Sequence, residues 1–399
     1  METTATATTS PSTPPAPPPS ALPKAPWGRL DRTSLGLLGL VGAFMAFVIW
    51  DQSYWWASLD DYFFGYLVPL FVAFVVFERL PKMKSYLFGP GYADVDPDVK
   101  VTHSEKGTPI ASFVGYMALV GSIVILGFSG FVRAIMSQHD WSTFGFSFGL
   151  CTLIFGVAFV ISERNVDGKN LSLRSRLGFM ALFTFPALIW LVSAPLLLPL
   201  EAAISTWLLK LVTIVTFDVF NAWGVPIIQE GNILVLPNGK VHVEDACSGI
   251  RSLTACIFAG SFLAAVFVDK TWKKVMMVVA SMLFAFLFNI VRSVFLTGWT
   301  NEHGQDAIDR DFWGQAEYEL TEKGTFVFDA MGEKIPNPEF TLGSVHDVAG
   351  YMIVGFTMVA LLMLLPIFSY RMPQFDDELL DDDSPDGGQD IPKTDPNPA

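Results

Sequence analysis

Cys247 is followed by Ser248, Gly249, Ile250, Arg251 and Ser252, and then by a long apolar run. A thiol at that junction sits where a helix should start, near backbone N–H groups without intrahelical partners and at the positive end of the helix dipole. Both effects favour the thiolate. Arg251, four residues on and on the same helical face, adds fixed positive charge. Two more residues of reactive type stand at comparable places. Arg292, in Asn289-Ile290-Val291-Arg292, lies about six residues, or ~9 Å, from the end of its apolar run. His346, in Ser344-Val345-His346-Asp347, opens the last run. An arginine inside a membrane span costs roughly 2.5 to 3.5 kcal/mol when central, so it either faces a polar interior or snorkels to the interface. Asn289 precedes it by three positions and shares its face.

Together these residues offer a nucleophile, a charge stabiliser and a proton-transfer group. Their chemistry is acyl transfer through a thioester: Cys247 attacks a carbonyl, Arg292 stabilises the thiolate or oxyanion, and His346 protonates the leaving amine. No HExxH, paired-Asp or His/Cys ligand cluster lies near them, so neither a metal nor another cofactor is expected. The other two cysteines, Cys151 and Cys256, fall inside apolar runs without disulfide or metal spacing and read as buried small hydrophobes.

The elements that must position these residues are membrane helices. The chain has 399 residues, 51% hydrophobic and only 16% charged, with 35 Phe and 11 Trp, which is too apolar for an ordinary soluble enzyme. Eight segments, 34–50, 63–80, 110–132, 143–162, 177–199, 249–268, 274–298 and 346–368, have about the length that crosses a ~30 Å hydrocarbon core. The fold class is therefore an all-α polytopic membrane protein of about eight transmembrane helices. A ninth stretch, 202–222, carries Lys210 and Asp218 and reads as a helix lying along the interface, a ninth span being the alternative.

Alternate loops differ sharply in Lys and Arg, seventeen against six. That asymmetry places both termini in the cytoplasm. Cys247, Arg292 and His346 then share one depth on the extracytoplasmic side of the inner (cytoplasmic) membrane. The net charge of -14 is confined to 299–344 and 371–399. It describes one loop and one tail, and argues against nucleic-acid partners.

Residues 1–33 form a Pro/Thr-rich cytoplasmic tail, 34–370 the membrane domain and 371–399 an acidic tail; both tails have compositions that remain disordered. Ile233–Leu236 and Lys240–Val243 flank Pro237-Asn238-Gly239, where Asn-Gly signals a hairpin that delivers Cys247 to the membrane surface. The loop 299–344 reads as a partly folded outer cap or as a solvated acidic loop.

The run Ala246-Cys247-Ser248-Gly249-Ile250-Arg251-Ser252, the Asn289–Arg292 segment in the next span and His346 at the start of the last one resemble the exosortase and archaeosortase group of membrane cysteine transpeptidases. Their order, spacing and eight-span layout match over roughly 34–370. The resemblance implies a cysteine peptidase or transpeptidase with Cys247 as nucleophile, Arg292 and His346 completing the triad, and Arg251, Asn289 and Ser248 supporting it. It implies substrate proteins with a C-terminal sorting signal made of a short motif, a transmembrane helix and a basic end. Cleavage on the outer face would pass the acyl group to a lipid or surface-polymer acceptor. Glu244 and Asp245, directly before Ala246, depart from that pattern and would oppose thiolate formation if they face the sulfur. Two readings from other classes stand beside it: a transporter whose Arg251 and Arg292 line an anion pathway, and a non-catalytic scaffold of a surface-assembly complex.

Overall fold

The computed structural model describes residues 22–27, 30–242, 250–318, 334–335, 337–340 and 343–369, with the main chain alone at 60, 61, 242, 250 and 251. Ten α-helices run through the described residues: α1 (Arg32–Ser58), α2 (Val68–Phe88), α3 (Pro109–Met136), α4 (Asp140–Ile161), α5 (Leu173–Ala181), α6 (Thr184–Val192), α7 (Leu198–Ala222), α8 (Ile250–Phe267), α9 (Thr271–His303) and α10 (Val345–Ser369). A 3-10 helix at Asp60–Leu67 leads directly into α2. Three short strands, β1 (Ile228–Glu230), β2 (Ile233–Leu236) and β3 (Gly239–His242), form one antiparallel sheet between α7 and α8. The molecule is a multi-pass helical membrane protein. Seven helices are long and apolar enough to cross a bilayer, and an eighth candidate is the bent pair α5–α6.

The segment 177–199, expected as one span, is two nine-residue helices bent by 45°. Pro186 explains the break: it has no N–H to offer the Leu182 carbonyl four residues back, and its ring crowds that oxygen. The freed Leu182 carbonyl accepts instead from Arg79 Nη1, whose Nη2 donates to the Ala265 carbonyl at 2.9 Å near the end of α8. One buried arginine thus ties the broken span to the helix that follows residue 247.

Helix α7 has 25 residues and would be long enough to cross. Its attachments say otherwise. Its first residue donates from the Leu198 amide to Asp140 Oδ2 at 2.9 Å, at the start of α4. Its last turns bury Phe220 against Leu236 and Val241 of the sheet, whose turn residue Asn238 donates to the Asn301 carbonyl at 2.6 Å near the end of α9. Phe64, just before α2, and Phe71, in its first turn, pack on Phe258, while Arg79 further along α2 reaches Ala265 near the end of α8; the two helices run parallel, and these points all belong to one end of the bundle. Both ends of α7 are therefore fixed at the same end, with Trp207 and Trp223 exposed along it.

The opposite end gathers the basic segments. The Ala25 amide donates to Asp94 Oδ1, the Val166 amide to the Leu87 carbonyl, the Ser172 amide to the Thr102 carbonyl, and Lys273 Nζ to the Phe368 carbonyl. The alternation of loops used for charge counting is thus reproduced in space.

Between the ends, α3 and α4 pack through glycine. A Cβ built on Gly149 would lie 2.6 Å from Leu126 Cδ2, and one on Gly156 3.0 Å from Leu119 Cδ2, so a larger residue at either place would have to push a leucine aside. Cys151 and Cys256 are both buried, as expected, Cys151 within an apolar cluster and Cys256 beside the Thr357 hydroxyl.

The hairpin is present, with a different turn. Leu236 pairs with Gly239, so the two central residues are Pro237 and Asn238 rather than Asn238 and Gly239. Gly239 has a negative φ and serves another purpose, since a Cβ there would come within 3.2 Å of Thr300 Cγ2 and 3.3 Å of the Gln305 amide. Leu234, Leu236 and Val241 form the buried face of the sheet.

Candidate active site

Helix α9 crosses the bundle with a polar stripe on its inner face. Asn289, Ser293, Thr297 and Thr300 recur at helical spacing and are all buried. Thr216 of α7 donates to Ser293 Oγ at 3.0 Å, so this stripe faces α7 above Asn289. Arg292, beside this stripe on the helix, reaches toward the first turns of α10.

Helix α10 begins at Ser344, which caps it. The Ser344 carbonyl accepts from the Val348 amide at 3.0 Å, and its Oγ accepts from the Asp347 amide at 3.1 Å. The cap places His346 and Gly350 one turn apart on the face toward α9. Arg292 Nη2 lies 2.8 Å from His346 Nε2 and donates to the His346 carbonyl at 3.2 Å. The guanidinium continues over Gly350, where a Cβ would stand 3.7 Å from Nη2. A guanidinium only donates, so the short contact makes Nε2 the acceptor and leaves the ring proton of neutral His346 on Nδ1.

The register of the neighbouring helices locates the start of α8. Gly260 of α8 abuts Ser281 of α9, its built Cβ lying 2.5 Å from the Ser281 side chain, and Leu263 and Ala264 share a cluster with Met277. The two helices are therefore antiparallel. Ten residues back from Gly260 and eleven forward from Ser281 are displacements of ~15 Å and ~16 Å in the same direction. Ile250 and Arg292 come out at the same level.

Of the six site residues expected from the sequence, the structure brings Arg292 and His346 into direct contact and buries Asn289 one turn beneath Arg292. Arg251 lies in the first turn of α8, with its side chain outside the described residues. Cys247 and Ser248 belong to 243–249, the seven residues joining β3 to α8, and lie outside the described residues together with Glu244 and Asp245. Two neighbours were not legible beforehand. Gly350 leaves room for the guanidinium, and Asp347 presents Oδ1 3.5 Å from His346 Nδ1. The string Ser344-Val345-His346-Asp347 holds a signal for Asp347, because Ser followed three positions later by a carboxylate is a capping pattern.

Beside this site, the described part of the connection from α9 to α10 is tied to both. A 3-10 helix spans Gln305–Asp309, Arg310 pairs with Ala316, and the Arg310 carbonyl accepts from the Val345 amide at 2.8 Å. Trp299 stacks on His303 and meets Phe312 edge-on.

The model of the transmembrane exosortase family matches residues 55–363, most of the chain and all of the site just described. The chain belongs to the transmembrane exosortases. No curated protein and no solved structure matches it. Membership is consistent with a transpeptidase-like sorting role, and the Arg292–His346 contact stands within the matched region.

Proposed function

We propose that this exosortase is a cysteine transpeptidase or protease that cleaves C-terminal sorting signals of exported proteins on the extracytoplasmic face, with Cys247 as nucleophile and Arg292 and His346 as its partners. The observation that carries the proposal is the Arg292–His346 contact at the level where α8 begins, three residues after Cys247. The basic segments gathered at the opposite end support a cytoplasmic placement of that end and of both termini.

The chemistry follows from the ring. In the resting contact, the one lone pair on the imidazole, at Nε2, is occupied by Arg292. Proton uptake from the thiol requires Arg292 to release Nε2 and swing toward the substrate. The Cys247 proton passes to Nε2, the sulfur attacks the scissile carbonyl, and Arg292 donates to the oxyanion that forms. Collapse of the tetrahedral centre breaks the C–N bond, and the imidazolium returns its proton to the leaving amine. An acceptor amine, or water, then adds to the thioester and gives its proton to His346. Loss of the sulfur as thiolate completes the transfer. A lipid or surface-polymer amine would be the acceptor for transpeptidation.

The test uses a tagged substrate protein bearing a C-terminal motif, membrane helix and basic end, co-expressed with the exosortase and followed by mobility shift. A stably inserted Cys247→Ala protein should leave the substrate full-length. Processing at the normal rate in that variant would sink the proposal.

A further inference from the structure

We propose that Asp347 is a positioning residue for His346, holding the ring in the Nδ1–H tautomer so that the Nε2 lone pair faces Arg292; this rests on the acyl-transfer reading above. The geometry comes from three contacts. Arg292 Nη2 at 2.8 Å from Nε2 fixes which nitrogen accepts. Asp347 Oδ1 stands 3.5 Å from the other ring nitrogen, Nδ1. The second carboxylate oxygen, Oδ2, accepts from the Ser344 hydroxyl at 2.7 Å, which keeps the carboxylate from turning away.

Capping alone does not ask for this arrangement. A carboxylate at the third helical position commonly reaches back to the backbone N–H of the cap residue. Here Oδ2 takes the cap's hydroxyl instead, and Oδ1 is left pointing at the imidazole. The distance is long for a formed hydrogen bond, and such contacts shorten when substrate closes a site. A carboxylate behind an imidazole selects the tautomer and stabilises the imidazolium that forms after proton uptake. The first turn of α10 is also where the helix dipole favours a negative side chain. Three consecutive needs, a cap, a base and an orienting acid, are thus met within Ser344, His346 and Asp347.

The tautomer of His346 can be read without turnover. Because the Arg292 guanidinium by itself fixes the tautomer, full-length protein carrying Cys247→Ala and Arg292→Ala, with 15N-labelled histidine, serves as the parent and is examined by NMR in detergent, with the His346 signals assigned from a His346→Gln sample. The Nδ1–H form should dominate in the parent. Asp347→Ala keeps the backbone N–H that Ser344 caps and should give a mixture of the two tautomers, while Asp347→Asn, whose amide oxygen still accepts, should retain the Nδ1–H form. In protein with Cys247 and Arg292 both present, Asp347→Ala should lower kcat by up to about 10²-fold with KM unchanged. Identical tautomer populations in the parent and Asp347→Ala overturn the proposal, whatever the activity. A tautomer shift in a protein whose turnover survives loss of Cys247 leaves the positioning role standing and removes the acyl-transfer reading instead.

Discussion

Two arginines near the same end of the bundle end in opposite situations. Arg133, in the last turn of α3, reaches inward to Asp51 of α1, with Nη2 at 2.7 Å from Oδ1. Around that pair Thr143 donates to Asp51 Oδ2, Gln52 donates to Ser147 Oγ and to the Trp190 carbonyl, Ser193 donates to Gln52 Oε1, and Trp56 donates to the Ser193 carbonyl. The Asp51 side chain is 1% exposed, and the network links α1, α3, α4 and α6. Arg292 instead meets a histidine, in a site where the His346 side chain is 26% exposed and that of Asp347 46%. An arginine inside a membrane helix therefore marks a staple in one place and a candidate catalytic group in the other. What separates them is the partner, a fixed carboxylate against a ring able to carry a proton, and whether substrate can reach it.

Mutation can sharpen or break that contrast. The largest effect is expected at the open site: Arg292→Ala or His346→Ala should reduce substrate processing by about 10² to 10⁴-fold with little change in thermal stability. Near-normal processing in either would merge the two arginines into one structural class. The closed network should behave inversely. Asp51→Ala or Arg133→Ala leaves an uncompensated buried charge and should destabilise the protein by roughly 3 to 5 kcal/mol, seen as a lower melting temperature in detergent, with an unchanged processing rate per folded molecule. A smaller effect falls on the glycine that seats the guanidinium. Gly350→Ala should be tolerated, because its Cβ would stay 3.7 Å from Nη2, whereas Gly350→Leu should cost about 1 to 3 kcal/mol through overpacking and slow processing by displacing Arg292.

The smallest effect concerns the basic end. The Lys84 ammonium, 2.5 Å away, and the Ala25 amide hold the Asp94 carboxyl below the ordinary carboxylate range. A depressed folded-state value stabilises the fold above the unfolded value and is lost as pH falls through the folded one. Asp94→Asn should therefore remove a small part of the acid sensitivity of unfolding, measured below about pH 4, and leave processing at neutral pH intact.

The contrast also shows what sequence could reveal. Arg292 is legible because a charge interrupts an apolar run about six residues from its end, and His346 because it opens the last run; both signals are visible one helix at a time. Asp51 directly follows the 34–50 run and its partner Arg133 directly follows the 110–132 run, but nothing in either run shows that the two meet. Pairing between helices depends on relative register, and single-helix periodicity carries no trace of it. The same limit hid Gly350, whose role exists only because Arg292 lies across it. The break at Pro186 could be anticipated in kind, since proline cannot continue a helix, but not the guanidinium of Arg79 that satisfies the freed carbonyl. The placement of the 202–222 helix along one end was read from Lys210 and Asp218, and the attachments of Leu198 and Phe220 agree with it. Cys247 is placed from sequence alone, since it lies outside the described residues.

The central claim is that Cys247 works with Arg292 rather than merely beside it. With Cys151 and Cys256 replaced by Ser, the rate at which a small alkylating reagent modifies Cys247 should be measured as a function of pH in the parent and in Arg292→Ala. The account predicts rapid modification that extends to lower pH in the parent and shifts to higher pH when Arg292 is lost. Superimposable pH–rate curves for the two proteins would contradict it.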